Sequence, residues 1–312
     1  MKRRSQGFLT AILSAFLFLI RYLPTPLFRF LVVTAGFIAR HLNTKARATA
    51  RSNIQTVFGI PPGSTTYDQE VMTNISAVAL ESIRAGYAPG KLRIDGYQEL
   101  KSLVDRNLAA GKGLIFVTAH LGSWELTSLV CHWACGGSYY GLAKSSKTAA
   151  VTTALKKWRK IMNIKQLWTD HPDLIQNMVK VVKDGNGIGF AMDQKPDPVK
   201  SGVEVKFLGQ PTPIVTGPAW ISAQNSAPVM SVFVIRQGPM HYKVVAQQII
   251  PPNHQEKNLV KLTEIMAREV EKAIYKYGNQ WVWTYRRWSL PEAADQPANE
   301  QLPLDLVDSE VT

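Results

Sequence analysis

The 312-residue sequence predicts an α/β fold: a single mixed sheet flanked by helices, behind an N-terminal segment that seeks a membrane. Two observations predict the sheet. From Lys91 onward, short apolar runs alternate with longer stretches of helical periodicity, the pattern of strands joined by crossover helices. Residues are 46% hydrophobic over a length that fills one large core or two smaller ones, with no repeat or internal linker between Lys91 and Leu290. A third observation concerns the first 51 residues. Lys2, Arg3, Arg4, Arg21, Arg29, Arg40, Lys45, Arg47 and Arg51 all precede the first acid, Asp68, and are interleaved with the apolar blocks "FLTAILSAFLFLI" and "FLVVTAGFIA".

That mixture selects an anionic lipid surface over nucleic acid, because apolar blocks have no use along a phosphate backbone. Gly7 to Ile20 is uncharged for 14 residues. As a helix it reaches about 21 Å, short of a hydrocarbon core of about 30 Å. A span needs Arg21 to snorkel; a re-entrant or interfacial hairpin turning at Pro24-Thr25-Pro26 serves equally. No small-x-small cleavage site precedes Arg21, so residues 1–45 read as a retained anchor. Its flanking positive charges place the body on the cytoplasmic side. Formal charge is +13, and the six acids after Pro291, with no Lys or Arg among them, leave +19 on the rest. Residues 291–312 lack apolar periodicity and read as an acidic, disordered tail.

"TKARATARSNIQTVFG" reads as a basic helix, broken by Pro61-Pro62-Gly63 before a second from about Gln69 to Ala85. Strands are expected near 92–94, 114–118, 139–142, 166–168, 187–192, 203–207, 229–235 and 242–248. Helices are expected near 98–109, 125–133, 148–162, 173–183, 215–224 and 257–277. Cys131 and Cys135 lie four apart on one of these helices, too close for a good disulfide and without a second pair for zinc; they read as reduced core thiols.

The chemistry centres on "LIFVTAHLGSWE". Five residues separate His120 from Glu125, a spacing that points the two side chains apart on a continuous helix. They converge only if His120 ends a strand and the Leu121-Gly122-Ser123 turn returns Glu125 on the first turn of the next helix. Gly122 permits such a turn and Ser123 can cap the helix. His120 then lies at the carboxyl end of a strand, where open α/β sheets bind ligands. An imidazole oriented by a carboxylate is a general base for a hydroxyl. Of six histidines only His120 has an acid five residues on, close to what chance supplies, so the strand-end placement carries the inference. No Gly-x-Ser-x-Gly elbow is present and the remaining histidines form no spaced ligand set for a metal. Asp193 follows the strand "GIGFAM", a crevice position like that of His120, although a turn or cap aspartate looks the same in sequence. Arg159 lies in the basic stretch "KKWRK", and Arg236 ends the strand "SVFVIR". Trp281, Trp283 and Trp288, alternating with Arg286 and Arg287, suit either a lipid-headgroup surface or a core with a polar rim.

"GKGLIFVTAHLGSWE" resembles the first motif, His-x-x-x-x-Asp/Glu, of the bacterial lipid A biosynthesis (lauroyl/myristoyl) acyltransferases within the lysophospholipid acyltransferase superfamily. "RSNIQTVFG", "LKKWRKIMNIK", "GIGFAMDQKPDP", "VKFLGQPTPIVTGPAWIS", "APVMSVFVIR" and "NQWVWTYRRWS" are similar to its later blocks in order. Leu121, Ser123 and Tyr285 stand where Phe, Asn and His are frequent. The resemblance implies a glycerolipid-acyltransferase-like domain over residues 46–290, with His120 as general base and Glu125 as its partner. It further implies Arg159 at an anionic phosphate of acceptor or donor, and Asp193 with Gln194 completing the site; Arg236 is a further candidate for phosphate. The implied reaction moves a fatty acyl chain from a thioester, on acyl carrier protein or coenzyme A, to a hydroxyl of an anionic glycolipid, a lipid A precursor, at the bacterial inner membrane, with no cofactor beyond the thioester co-substrate. A different glycolipid or lysophospholipid acceptor shares every one of these residues. A non-catalytic lipid-binding protein, or an acyl-ester hydrolase, is the rival from another class.

Overall fold

The computed structural model describes residues 15–16, 18–61, 63–144, 149–196 and 202–288. The first part of the expected anchor, residues 1–14, and the acidic tail lie outside the described residues. After a helical stretch at residues 18–22 come α1 (Thr25–Leu42), α2 (Thr44–Phe58) and α3 (Tyr67–Tyr87). They are followed by β1 (Arg93–Asp95), α4 (Tyr97–Leu108), β2 (Leu114–Thr118), α5 (Trp124–Ala134), β3 (Tyr139–Ala143), α6 (Ala149–Ile161), β4 (Lys165–Trp168), α7 (Leu174–Lys183) and β5 (Gly187–Ala191). The chain continues through β6 (Gly202–Phe207), β7 (Gln210–Val215), α8 (Gly217–Asn225), β8 (Val229–Gly238), β9 (His241–Ile250) and α9 (Leu259–Tyr277).

Seven strands form one sheet in the order β1-β9-β8-β2-β5-β3-β4, all neighbours parallel except the β8/β9 hairpin. The mixed sheet flanked by helices is the α/β architecture expected from the sequence. Burial explains why β2 reads as an unbroken apolar run. Leu114 and Phe116 enter a core with Leu126, Leu129 and Val130 of α5, while Ile115 and Val117 enter the opposite core with Val181 of α7 and Met266 of α9. A strand covered on both faces has no polar side to show.

The hairpin of β6 and β7 stands apart from the sheet, and its second strand was not expected. Pro211 and Pro213 lie in β7, each without an amide to donate, so "QPTPIV" does not read as a strand; a two-stranded edge element accepts them.

The N-terminal part docks through α1. Phe28, Val32 and Gly36 form a buried stripe against α3, where a Cβ on Gly36 would lie 3.1 Å from Thr73. The chain is helical at residues 18–22 and bends at Leu23, whose carbonyl accepts from Arg84 Nη2 (2.9 Å) while the same guanidinium stacks on Phe28 (4.2 Å). No helix among the described residues is long and apolar enough to cross a membrane. Both cysteines are free, buried thiols, Cys131 on α5 and Cys135 at its C-cap.

Candidate active site

Adjacent parallel strands β2 and β5 pair in register, Thr118 opposite Ala191. His120 and Asp193 each stand two residues beyond those partners, and the ladder extends by one more bond, Met192 N–H to the Thr118 carbonyl (3.0 Å). Equal overhangs on neighbouring strands, about 4.8 Å apart, bring the two side chains together.

The corner after β2 is built as its residues require. Gly122 has φ +57°, and a Cβ there would sit 2.2 Å from the Val234 carbonyl oxygen. Ser123 caps α5: its Oγ accepts from the Leu126 N–H (3.3 Å) and lies 2.7 Å from Ser82 Oγ on α3. It is fully buried, so its role is structural. The Ser123 N–H donates to Val234 O (2.8 Å), the Gly122 N–H to Gln280 O (3.1 Å) and the Val282 N–H to His120 O (3.0 Å). Gly122→Ala is therefore expected to destabilise the protein by about 2–5 kcal/mol, combining left-handed strain with backbone overlap, as a drop in thermal midpoint.

Within this frame His120 Nδ1 lies 2.9 Å from Asp193 Oδ1. The other oxygen, Oδ2, accepts from the His120 backbone N–H (3.0 Å) and from Trp281 Nε1 (2.8 Å). Asp193 is 2% exposed, whereas 27% of the His120 side chain reaches solvent. Burial alone would lower the imidazole pKa; the charge and hydrogen bond of Asp193, with a smaller pull from Glu125, outweigh it and raise the value above 6.5. Burial would likewise raise the Asp193 carboxyl, but His120, the indole and the backbone amide hold it below the ordinary value. An ionised Asp193 places the imidazole proton on Nδ1 and leaves the Nε2 lone pair available.

The expected contact between His120 and Glu125 is not formed. Glu125 on the first turn of α5 meets Arg159 near the end of α6 in a two-point pair, Nη2 to Oε1 at 2.5 Å and Nε to Oε2 at 3.1 Å. A guanidinium fork satisfies both carboxylate oxygens at once, which one imidazole nitrogen cannot. Gln166 on β4 borders the same guanidinium; with its amide oxygen turned inward it accepts from Arg159 Nε (3.0 Å) and Nη1 (3.2 Å). Gln194, half-buried, follows Asp193 in the chain. The next amide, of Lys195, donates to Tyr285 Oη (3.2 Å).

Arg236 is not brought to this cluster as a free phosphate ligand. Its guanidinium is paired at two points with Glu81, 1% exposed, at 2.8 and 3.1 Å; Tyr242 Oη and the Met240 N–H donate to the same carboxylate. Nor is the tryptophan-rich segment a lipid surface: Trp281, Trp283 and Arg287 are buried and Trp288 is half-buried, its indole donating to Thr212 Oγ1 (3.2 Å). Asn53 of α2 donates to the carbonyls of Trp283 (2.7 Å) and Tyr285 (2.8 Å), so the "RSNIQ" helix holds the segment that in turn holds His120. Among the described residues no group of three or more His, Cys, Asp or Glu side chains could hold a metal ion.

The site thus offers an oriented base at the carboxyl ends of β2 and β5, its Nε2 without a hydrogen-bond partner among the described residues, beside a carboxylate and guanidinium pair. Known proteins share this sequence framework. A family described as bacterial lipid A biosynthesis acyltransferase matches residues 3–289. The phosphatidylinositol mannoside acyltransferase of Mycobacterium tuberculosis (strain CDC 1551 / Oshkosh) is 23% identical over 209 residues, 63% of this chain and 62% of that protein. The chain thus spans less than two thirds of that relative's length. With the match running over nearly all of its residues, the chain belongs to the bacterial lipid A biosynthesis acyltransferase family.

Proposed function

We propose that the protein is a membrane-associated O-acyltransferase that moves a fatty acyl chain from an acyl thioester, carried on acyl carrier protein, to a hydroxyl of a lipid A precursor. The observation that carries the reading is the His120 imidazole, held at Nδ1 by Asp193 and, among the described residues, without a hydrogen-bond partner at Nε2. In the proposed reaction Nε2 takes the proton of the acceptor hydroxyl as its oxygen attacks the thioester carbonyl. First-turn amides of α5, at Trp124 and Glu125, face the oxyanion. Collapse breaks the carbon–sulfur bond, and the departing thiolate takes the proton back from the imidazolium. Asp193 stays ionised throughout and stabilises the imidazolium, the part that the sequence reading gave to Glu125.

Arg159 with Glu125, and Gln194 beside Asp193, serve as polar contacts to the substrates, Arg159 meeting phosphate by sharing its guanidinium with Glu125. The net positive body attracts an acidic carrier protein and a phosphorylated glycolipid alike.

Membrane association rests on α1. Beside the stripe that packs on α3, Leu27, Phe30, Val33, Phe37, Ile38 and Leu42 form a second apolar stripe facing outward, and Phe18, Leu19 and Tyr22 extend it ahead of the bend. With Arg21, Arg29 and Arg40 alongside, this reads as a helix lying in the interface of an anionic bilayer. The anchor of residues 1–45, the domain of residues 46–290 and the cytoplasmic face of the bacterial inner membrane are parts of the same proposal.

Mass spectrometry of lipid extracts tests acceptor and chain together. A strain without the protein is expected to lose one acyl chain from lipid A, and to regain it on expression of the wild type but not of His120→Ala. Unchanged lipid A with another glycolipid under-acylated assigns the alternative acceptor; no change in any lipid supports the non-catalytic reading.

A further inference from the structure

We infer that Trp281 is a positioning residue for acyl transfer, one residue that ties together both members of the base pair. The inference rests on the reading of His120 as base and Asp193 as its orienting carboxylate.

Two independent contacts carry it. Through its backbone Trp281 bridges Leu121, next to His120, and the flanking bonds from Val282 N–H to His120 O and from Gly122 N–H to Gln280 O extend that pairing. Through its side chain the indole N–H donates to Asp193 Oδ2 at 2.8 Å. The indole is 2% exposed and packed between Trp283 (centroids 4.6 Å apart) and Trp288 (6.4 Å), so the donor cannot swing away. A carboxylate turns about its own axis unless both oxygens are engaged. Here Oδ1 has the imidazole, and Oδ2 has the indole and the His120 amide, which moves with the histidine. The indole is thus the anchor that comes from a different part of the chain. Phenylalanine would fill much of the same space and leave the carboxylate loosely aimed.

The electrostatic consequence has a definite sign. An N–H donor draws charge from the carboxylate, so its removal strengthens the hold of Asp193 on the Nδ1 proton and favours the imidazolium. The acid limb of the rate profile, where the base becomes protonated, then moves to higher pH. Removing the carboxylate itself, as in Asp193→Asn, leaves burial to dominate and moves the limb to lower pH.

The test uses the full chain in vesicles with an acyl-thioester donor, and compares Trp281→Phe, replacement of Trp281 by benzothienylalanine, and Asp193→Asn. Benzothienylalanine keeps the shape of the indole and replaces its N–H by sulfur, so it decides the matter if the phenylalanine variant does not fold. For folded variants at position 281, kcat is expected to fall about tenfold to a hundredfold, with KM within about twofold and the acid limb displaced upward. Wild-type kcat with an unmoved limb, or a loss that only follows the unfolded fraction, overturns the inference while Asp193→Asn remains impaired. Wild-type turnover in Asp193→Asn overturns the base pair itself, and the role of Trp281 with it.

Discussion

His120→Ala is expected to lower acyl transfer by on the order of 10³-fold or more, and Asp193→Asn by about 10²- to 10⁴-fold, in a vesicle assay with an acyl-thioester donor. The two losses have different causes. Alanine at position 120 removes the proton acceptor, and the partly exposed imidazole takes little packing with it. Asparagine at position 193 keeps the shape of the carboxylate and can still accept from the Trp281 indole and the His120 amide. Toward Nδ1, however, it presents an amide donor, so the ring proton moves to Nε2 and the lone pair faces the wrong way. The rate profile separates this from unfolding. Wild-type activity falls as pH drops through a His120 pKa raised above 6.5, because the protonated imidazole cannot act as base. In Asp193→Asn the residual activity persists to lower pH, since burial then outweighs the smaller remaining pull of Glu125 and lowers the imidazole pKa. A wild-type limb below 6.5 would contradict this electrostatic account.

Replacing Phe30, Val33 and Phe37 together by serine is expected to reduce binding to anionic vesicles by more than about 100-fold, with the thermal midpoint nearly unchanged. These three side chains are 67%, 68% and 54% exposed, so the folded protein gains little from them in water. A bilayer interface covers the same surface. Each fully buried side chain of this size contributes about 1.5–3 kcal/mol, and even partial insertion of three exceeds the roughly 2.7 kcal/mol that a hundredfold loss represents. The buried stripe on the same helix, Phe28 and Val32, supplies the contrast: polar substitution there should unfold the contact with α3 and lower the midpoint. Co-sedimentation with vesicles of defined anionic content reads the first effect and calorimetry the second. Unchanged vesicle binding in the triple variant would remove α1 from the proposed anchor.

Much of the fold was legible because its signals are local. The doubly covered run "LIFVT", the glycine turn and the Ser123 cap all act within a few residues of chain, and each appears in the structure as the spacing predicts. The site was legible only in part. The sequence marks His120 and Asp193 as strand-end residues but contains nothing about which strands are neighbours. The pairing of Asp193 with His120 follows from the β2/β5 register, set by strands more than 70 residues apart. Glu125 drew attention by sequence proximity, yet its partner Arg159 arrives from another helix 34 residues on. Arg236 looked free for the same reason; Glu81, 155 residues earlier, neutralises it. The late tryptophans resembled an interface belt because alternating aromatic and basic residues describe a membrane surface and a buried strap equally well. The orphan hairpin strand was hidden by its own prolines.

The most direct test of the central claim is a double-mutant cycle on acyl transfer between His120 and Asp193, read as kcat/KM in vesicles with an acyl-thioester donor. If Asp193 acts through His120, His120→Ala/Asp193→Asn is no slower than His120→Ala alone, and Glu125→Gln combined with His120→Ala shows no such masking of any loss due to substrate contact. Independent, multiplying losses at positions 120 and 193, or near wild-type turnover in His120→Ala, would contradict it.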